Sequence, residues 1–292
     1  MAAPPRPRRS VLFVPGSNAR AMAKARELPA DVLAFDLEDA VAPAAKPAAR
    51  AAIAAALVQG GYGRRELLVR VNAPATEWSA DDLAAAAGLP IHGVLLPKVE
   101  SADTVRAAAG ALAAAGAPPG LALWCMLETP RGVLRAQEIA AASPRIAALM
   151  MGTADLAKDL HADPGPDRLP LLLSLQMGVL AARACGLAAI DGIHADLSDD
   201  EGFARACRQG RALGFDGKTL VHPKTIAVAN AIFAPAAAEL DWARRVVAAH
   251  AAAVASGSGV TLLDGRLIES LHVEEARRVL ALAAEVAERA AT

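Results

Sequence analysis

The sequence has few of the features that secreted, nucleic-acid-binding or membrane proteins need. Its 292 residues include three cysteines, an odd number, and none lies in a CxxC or Cys/His metal pattern. We therefore expect free thiols in a reducing compartment rather than a disulfide framework. A formal net charge of −1 provides no basic excess for nucleic acid or for an anionic membrane. Because only 3% of the residues are aromatic, a core must be built from Leu, Val, Ile and Ala.

The sequence also shows no pattern typical of a signal peptide or of a membrane-spanning segment. The first ten residues, MAAPPRPRRS, contain Pro and Arg but no apolar stretch of the kind found in a signal peptide. No run of 18 or more residues is free of charges and helix breakers. We expect a soluble, cytoplasmic protein with neither a membrane nor a nucleic-acid partner.

Eight short apolar segments recur along the chain, each followed by a helical pattern. Strands that alternate with helices indicate parallel βαβ crossovers. Eight such units favour a (β/α)8 TIM barrel of the α/β class over an open doubly wound sheet. No GxGxxG or GxxxxGK[ST] motif follows the first strand, which also argues against a nucleotide-binding open sheet. We predict that residues 1–235 form this barrel. The apolar segments are 10–15, 31–39, 66–72, 93–99, 121–128, 146–152, 188–194 and 217–222.

Residues 236–292 predict a C-terminal extension made of a hairpin and helices. Two helical patterns, 237–255 and 273–290, flank a Gly/Ser turn and the dipeptide Asp264-Gly265, which is a strong hairpin signal. The extension is too small to fold alone. We expect it to pack on the barrel mouth or on a neighbouring subunit.

Charged side chains follow most of the predicted strands, and in a barrel these strand ends meet on the face that carries active sites. One such residue is usually only the start of a loop, whereas two acidic groups and an Arg on the same rim favour function. The residues are Glu38, Asp39, Arg70, Lys98, Glu128, Asp155, Asp191 and His222.

Glu128 ends the apolar run LALWCML and is followed at once by Thr and Pro. This pattern indicates a buried strand that delivers a carboxylate to a loop, although a solvated residue at a loop start is the alternative. Asp155 follows the neighbouring predicted strand, so the two carboxylates could share one Mg²⁺, which keeps several waters and leaves positions for substrate oxygens. A helix N-cap is the alternative for Asp155. Backbone N–H groups at Gly152 and Thr153 could bind an anion such as a substrate carboxylate.

Arg70 ends another buried strand, LLVRVN, and its permanent charge requires a partner. That partner could be Glu38 or Asp39 on the adjacent strand. Alternatively, Arg70 could stabilise an enolate, a thioester oxygen or a carboxylate, and both roles can hold at once. Together with Asp36 and Lys98, these residues predict electrostatic support around the site.

Other patterns argue against rival chemistries. The histidines show no HxH or HExxH spacing for zinc, and there is no GxSxG nucleophile motif. Lys46 and Arg50, spaced i,i+4, predict a solvated helix face.

The ordered set of motifs resembles the HpcH/HpaI aldolase group, which includes the citrate lyase β-subunit and malyl-CoA lyases. Each motif is weak alone, whereas their order and spacing across nearly the whole chain are specific. They are RRSVLFVPG at 8–16, DLEDAVAPAAKPAAR at 36–50, VRVN at 69–72, LPKVES at 96–101, LETPRGV at 127–133, MGTADLAKDL at 151–160, AIDGIHADLSDDEGF at 189–203, LGFDGKTLVHP at 213–223 and LLDGRLIESLHVEEA at 262–276.

The resemblance implies a Mg²⁺-dependent carbon–carbon lyase on a TIM barrel, with Mn²⁺ as an alternative metal. Its substrate would be a 3-hydroxy-acyl-CoA such as malyl-, citramalyl- or citryl-CoA, and its products acetyl-CoA (or a similar acyl-CoA) and a keto acid. CoA would thus enter as part of the substrate. The family also implies a homo-oligomer, a trimer or a hexamer. Three alternatives remain: a malyl-CoA-type thioesterase, a keto-acid aldolase that uses no CoA, and a non-catalytic relative that binds the same ligands.

Residue by residue, the resemblance implies that Glu128 and Asp155 are the metal ligands. Arg70 matches a catalytic and substrate-binding arginine, and the Gly152-Thr153-Ala154 backbone matches the keto-acid carboxylate site. We also assign Lys98 to substrate binding and Asp39 to the catalytic group. A metal there would polarise the substrate oxygen as a Lewis acid.

The chain departs from the family pattern at three places. Glu269 stands where the family has an acid/base Asp that is thought to reach an adjacent subunit, so the carboxylate is one methylene longer. The family's Tyr-Ala-Arg is replaced by Leu173-Ser174-Leu175, and the usual HP-x-Q reads His222-Pro223-Lys224-Thr225. These changes indicate altered acyl or CoA recognition.

Overall fold

The fold was analysed in a computed structural model that describes residues 6–290. The chain divides into two compact units. One comprises residues 8–231, and the other comprises residues 232–290 together with residues 6 and 7.

The first unit contains a closed barrel of eight parallel strands, in which each strand pairs with the next and the eighth pairs with the first. The predicted (β/α)8 TIM barrel is therefore confirmed. The strands are β1 (Ser10–Pro15), β2 (Val32–Asp36), β3 (Glu66–Arg70), β4 (Gly93–Leu96), β5 (Ala122–Leu127), β6 (Ile146–Met151), β7 (Ala188–Asp191) and β8 (Gly217–Leu220).

Helices follow the strands, as the alanine-rich patterns between them predict. Several begin at a side chain that accepts a first-turn N–H, among them those of Asn18, Ser101, Thr129 and Asp199. The helices of this part of the chain are α1 (Ala19–Ala25), α2 (Lys46–Gln59), α3 (Ser79–Ala87), α4 (Ala102–Ala114), α5 (Pro130–Leu134), α6 (Ala136–Ala140), α7 (Thr153–Asp159), α8 (Leu172–Ala184), α9 (Asp200–Leu213) and α10 (Ile226–Phe233).

The barrel interior is filled by aliphatic and sulfur-containing side chains around one tryptophan, Trp124, which is fully buried. Alternate residues of a strand point to opposite faces, so each strand sends every second residue inward. Val32, Ala34 and Asp36 of β2 lie on this inward face, as do Leu68 and Arg70 of β3. The apolar filling thus gives way to charged groups at the carboxyl ends of the strands.

Two predicted elements differ from the structure for local reasons. The second strand was expected over residues 31–39 but ends at Asp36, because the Asp36 carboxylate accepts the N–H groups of Glu38 and Ala40 and turns the chain. The helical pattern that follows the fifth apolar segment forms two short helices, α5 and α6, that are separated at Arg135, where φ is −108°.

The second unit contains α11 (Ala237–Ala255), the antiparallel strands β9 (Thr261–Leu263) and β10 (Arg266–Ile268), and α12 (Ser270–Ala290). Asp264 and Gly265 form the turn of the hairpin with positive φ values of 51° and 76°, as the dipeptide predicts. The boundary after residue 235 and the packing of this unit on a barrel mouth or a neighbouring subunit stay predictions. Its small core is formed by Ala243, Val246, Ile268, Val273 and Ala276.

The remaining fold-level expectations concern thiols and membrane segments. Cys125, Cys185 and Cys207 are all free, as predicted. Within residues 6–290, none of the helices combines the length and the apolar character needed to cross a membrane.

Candidate active site

Arg70 forms the centre of a cluster of charges at the ends of β2 and β3. Its Nε and Nη2 donate to the two oxygens of Asp36, each at 2.7 Å, and its Nη1 lies 2.9 Å from Glu38 Oε2. Asp39 Oδ2 is 3.5 Å from Nη1, and the Phe13 ring lies 4.5 Å beneath the guanidinium. Burial alone would lower the pKa of Arg70, but the hydrogen bonds and charge of Asp36 raise it.

This arrangement confirms the expected carboxylate partners of Arg70, since Glu38 and Asp39 both lie within ion-pair distance. It adds Asp36, the bidentate partner, which lies beside Arg70 in the β2–β3 register. Asp39 is mostly solvent-exposed at the edge of the cluster. An Arg held by two acids on one side is a fixed charge at the strand ends.

Lys98 lies on the other side of Glu38. Its Nζ donates to Glu38 Oε1 at 2.5 Å and is 3.9 Å from Asp39 Oδ1. The main chain at Lys98 has φ of 50°, which is unusual for a residue with a side chain. Burial would lower the pKa of Lys98, but the hydrogen bond and charge of Glu38 raise it.

Glu128 directly follows β5 and is buried, which excludes the solvated-loop alternative. Thr129 caps the next helix by accepting the Gly132 N–H at 3.1 Å, and Pro130 occupies its first turn. The sequence Glu-Thr-Pro therefore ends the strand and begins the helix, and it leaves the Glu128 carboxylate buried between them. Glu128 Oε1 accepts the N–H of Lys98 at 2.6 Å.

The environment of Glu128 disfavours its charge when no cation is bound. Its pKa is raised to about 7, chiefly by burial, and the negative charges of Glu38 and Asp155 act in the same direction. The N–H and the ammonium of Lys98 oppose these effects only in part. A positive ion beside this buried carboxylate and its two acidic neighbours would stabilise their charged forms.

Asp155 lies in the first turn of α7 and is half-buried, with Lys158 Nζ 3.8 Å from its Oδ1. The N-cap of this helix is Gly152 rather than Asp155, which excludes the capping alternative. The N–H of Gly152 donates to Leu127 O at 3.0 Å. The first-turn N–H groups of Thr153 and Ala154 have no acceptor within the helix and could face an anion.

The two carboxylates fit a divalent cation such as Mg²⁺. A Cβ on Gly152 would collide with the Cβ and Oε2 of Glu128, so glycine at this position leaves room beside the free carboxylate oxygen. Within residues 6–290, no group of three or more His, Cys, Asp or Glu side chains is arranged to hold a metal. Two carboxylates with open positions suit Mg²⁺, which keeps waters and accepts substrate oxygens.

Lys46 contradicts its predicted place on a solvated helix face. It is buried, and its Nζ donates to Leu37 O and Glu38 O at 2.9 Å each and to Asn72 Oδ1 at 2.5 Å. The prediction failed because Lys46 is the first residue of α2, where the chain between β2 and α2 folds over its side chain. Lys46 thereby fixes the main chain that carries Glu38. Arg50, its i+4 neighbour, instead pairs with Asp82.

A second buried ion network lies between β7, β8 and α9 and was not predicted. Asp191 accepts from Lys218 Nζ at 2.8 Å and from Arg168 Nη1 at 2.7 Å, and it packs against Gly210 of α9. Lys218 also donates to Gly192 O at 2.6 Å. The network faces the helix layer, so we assign it to support of the β7 end rather than to chemistry.

Glu269 lies between β10 and α12 in the second unit, where its N–H donates to His272 Nδ1 at 3.1 Å. Its catalytic role stays a prediction. His222 starts a short 3-10 turn and accepts the N–H of Lys224 through Nδ1 at 3.1 Å, a capping role.

A (β/α)8 barrel with buried acids and a fixed arginine at its strand ends is the architecture of a TIM-barrel enzyme. Residues 9–223 match the model of the HpcH/HpaI aldolase/citrate lyase family, and the chain belongs to this family. The resemblance carried by the sequence motifs is thus confirmed.

Similar curated proteins extend over nearly the whole chain. A "(3S)-malyl-CoA thioesterase" of Cereibacter sphaeroides (strain ATCC 17025 / ATH 2.4.3) is 46% identical over 287 residues, which cover 98% of each chain. The citrate lyase subunit beta of Escherichia coli (strain K12) is 38% identical over 283 residues, or 95% of this chain and 94% of the relative.

Solved structures show the same likeness. CitE from Mycobacterium tuberculosis, in complex with magnesium, acetoacetate and coenzyme A, has a TM-score of 0.77 and 33% identity, and the match covers 97% of this chain and 98% of that one. The citrate lyase beta subunit from M. tuberculosis, complexed with oxaloacetate and magnesium, has a TM-score of 0.68 and 34% identity over 78% of this chain and 98% of that one.

Proposed function

We propose that the protein is a Mg²⁺-dependent enzyme that hydrolyses the thioester of a malyl-CoA-type substrate to free CoA and the hydroxy acid. The choice of hydrolysis rests on the 46% identity over 98% of both chains to a "(3S)-malyl-CoA thioesterase". The dependence on metal rests on the buried Glu128 with Asp155 and Glu38 nearby. Magnesium and coenzyme A in the complex of the structural neighbour CitE support both cofactor and substrate class.

In this proposal, Glu128 and Asp155 ligate the metal, which supplies Lewis-acid activation of a substrate oxygen. Arg70, fixed by Asp36 and Glu38, provides positive charge for a carboxylate or for the oxyanion that develops at the reacting carbonyl. The N–H groups of Thr153 and Ala154, with Gly152 giving space, bind the distal carboxylate.

Two carboxylates are candidates for the proton transfer. Asp39 is an exposed carboxylate 3.5 Å from Arg70. Glu269 stands at the position of the family's acid/base Asp, which is thought to act from an adjacent subunit. We propose both as acid/base candidates. Hydrolysis needs a base that takes a proton from the attacking water, and either carboxylate has the required chemistry.

Carbon–carbon cleavage of the same substrate class is the second candidate function. It is favoured by the 38% identity to a citrate lyase subunit beta over 95% of this chain. The oxaloacetate and magnesium in a neighbour's complex also support a keto-acid product. The lyase would release acetyl-CoA and a keto acid from the site proposed for the thioesterase.

Product analysis separates the two activities. Purified protein is incubated with Mg²⁺ and, separately, malyl-CoA, citramalyl-CoA and citryl-CoA, and the products are resolved by chromatography. We expect free CoA and the hydroxy acid from malyl-CoA, and no release when EDTA removes the metal. Acetyl-CoA with a keto acid would instead establish the lyase. Metal-independent release of CoA would contradict the proposal.

The raised pKa of Glu128 makes Mg²⁺ binding dependent on pH. The charged carboxylate binds the metal, and with a pKa of about 7 this form is lost as the pH falls through 7. We expect Mg²⁺ affinity of the substrate-free protein to fall about tenfold per pH unit below 7 and to level off above 8. Calorimetry in buffers of different ionisation enthalpy should detect proton release near pH 6.5. An affinity that is constant from pH 6 to 8 would show that Glu128 is not the titrating ligand.

A further inference from the structure

Lys98, which follows β4, contacts two buried acids, Glu128 through its main chain and Glu38 through its side chain. Its N–H donates to Glu128 Oε1 at 2.6 Å, and its Nζ donates to Glu38 Oε1 at 2.5 Å. The main chain at Lys98 takes a φ of 50°, in the left-handed region that residues with side chains rarely adopt. Strained main chain of this kind is found where the surrounding structure enforces it.

The main-chain contact determines which oxygen of Glu128 is free. Oε1 is held on the β4 side by Lys98, whereas Oε2 lies against Gly152 on the β6 side, three residues before Asp155. A metal shared by Glu128 and Asp155 would therefore meet Oε2. The Lys98 N–H prevents the carboxylate from rotating away from this orientation.

The side-chain contact determines where Glu38 points. Its Oε1 is paired with Lys98 and its Oε2 lies 2.9 Å from Arg70 Nη1, so both oxygens face cations of the protein. The negative charge of Glu38 nevertheless acts on Glu128, where it contributes to the raised pKa. Without the ammonium, Arg70 would still pair with Oε2, but Oε1 of the buried carboxylate would lose its cation, and a metal bound at Glu128 would be its alternative partner.

We propose that Lys98 is a positioning residue that keeps Glu38 out of the metal's coordination shell while it presents one oxygen of Glu128 to the metal. The inference rests on the proposed Mg²⁺ site. It assigns the ammonium to Glu38 rather than to the substrate.

Three variants test this role. K98M removes the ammonium and keeps the apolar stem; K98G removes the whole side chain but retains the N–H to Glu128 and readily accepts the positive φ. K98R keeps the charge. K158M is the matched control, because Lys158 is an exposed lysine beside Asp155, the other proposed ligand. K98G is expected to fold even if K98M does not.

The first readout is Mg²⁺ affinity of substrate-free protein, measured by calorimetry with Mg²⁺ alone. K98M and K98G should bind Mg²⁺ more tightly, by up to about tenfold, because Glu38 is released toward the metal and a positive charge is lost. K98R should bind as the wild type does. K158M should change the affinity less, since its charge is screened by solvent.

The second readout is the division between kcat and KM. In K98M and K98G, kcat should fall about 10- to 100-fold, since a ligand set altered by about 1 Å misplaces the substrate. KM should change little, and K98R should recover most of kcat. Unchanged Mg²⁺ affinity with a raised KM and an unchanged kcat would overturn the inference, because Lys98 would then contact the substrate. Weaker Mg²⁺ binding in K98M and K98G would also overturn it.

The metal titration needs no turnover, so it distinguishes the two claims. A wild-type protein that binds Mg²⁺ but hydrolyses or cleaves no CoA ester refutes the proposed function, while the affinities of the variants still decide the role of Lys98. Wild-type turnover with unaltered K98M and K98G refutes only the inference.

Discussion

Replacement of Glu128 by Gln should abolish metal-dependent turnover while leaving the metal-free protein folded. Gln keeps the shape and an acceptor for the Lys98 N–H but loses the negative charge that binds Mg²⁺. We expect Mg²⁺ affinity to fall by more than about 100-fold, since even an outer partner of a metal ligand typically contributes 10- to 100-fold. Calorimetry with Mg²⁺ and the CoA-release assay measure the two effects.

E128Q should increase the stability of the metal-free protein although it lowers Mg²⁺ affinity. The pKa of Glu128 is raised from 4.5 to about 7 in the folded protein. Above pH 7 the carboxylate is charged in both states, and this charge costs free energy in the folded protein relative to the unfolded chain. Removing the charge should therefore stabilise the metal-free protein at pH 8 by roughly 1 to 3 kcal/mol in denaturant unfolding. Mg²⁺-dependent turnover retained by E128Q would contradict the assignment.

Glu66 provides the matched control for this variant. It is also buried, but it lies at the first residue of β3, at the opposite end of the barrel, where it pairs with Arg8 at 2.8 Å. E66Q should lose stability and keep both Mg²⁺ affinity and kcat. The contrast separates a carboxylate that the metal requires from one that the fold requires.

Replacement of Arg70 by Met should reduce both stability and activity. It leaves Asp36 and Glu38 buried without their main cation, a loss that typically costs about 3 to 5 kcal/mol of unfolding free energy. Loss of the positive charge that we propose stabilises the substrate should reduce kcat/KM by about 100- to 1,000-fold. R70K should rescue little, because an ammonium cannot reproduce the two parallel hydrogen bonds to Asp36.

Two further variants separate the structural from the catalytic part of this effect. In R70M/D36N one unpaired charge is removed, so stability should recover in part while kcat/KM stays low. R8M removes a comparable Arg–carboxylate pair at the other end of the barrel and should lower stability alone. If R70M/D36N regained activity along with stability, Arg70 would have no direct role at the substrate.

The strand–helix rhythm and the strand-end charges could be predicted because both are local patterns. Each apolar segment ended by a charge marks one strand of the barrel, and closure of the barrel brings those ends together. Glu128, Asp155 and Arg70 could thus be placed on one face before the structure was known. Their mutual contacts could not, because these depend on register and rotamers that no local pattern specifies.

The failures have identifiable physical causes. Lys46 was assigned to solvent from its spacing to Arg50, yet the loop before α2 buries it against the carbonyls of Leu37 and Glu38. Asp36 was placed only among the supporting charges, and its bidentate pairing with Arg70 was missed, because its turn with Glu38 and Ala40 ends β2 earlier than the apolar pattern indicates.

The remaining surprises depend on contacts that are distant in sequence. Arg168 reaches Asp191 from an irregular segment after α7, and Lys218 reaches the same carboxylate from the next strand. The left-handed main chain at Lys98 has no sequence signal, because glycine or asparagine would be the expected residue there. Such positions are visible only once the barrel has closed.

The central claim is that Glu128 and Asp155 share one divalent cation beside Gly152. It is tested most directly by crystals of the wild-type protein grown with Mn²⁺ and a keto acid, with an anomalous difference map calculated at the manganese edge. The account predicts one peak within coordination distance of Glu128 Oε2 and an Asp155 oxygen, with Glu38 still paired to Lys98. A peak elsewhere, or a site ligated by Glu38 in place of Asp155, would contradict it.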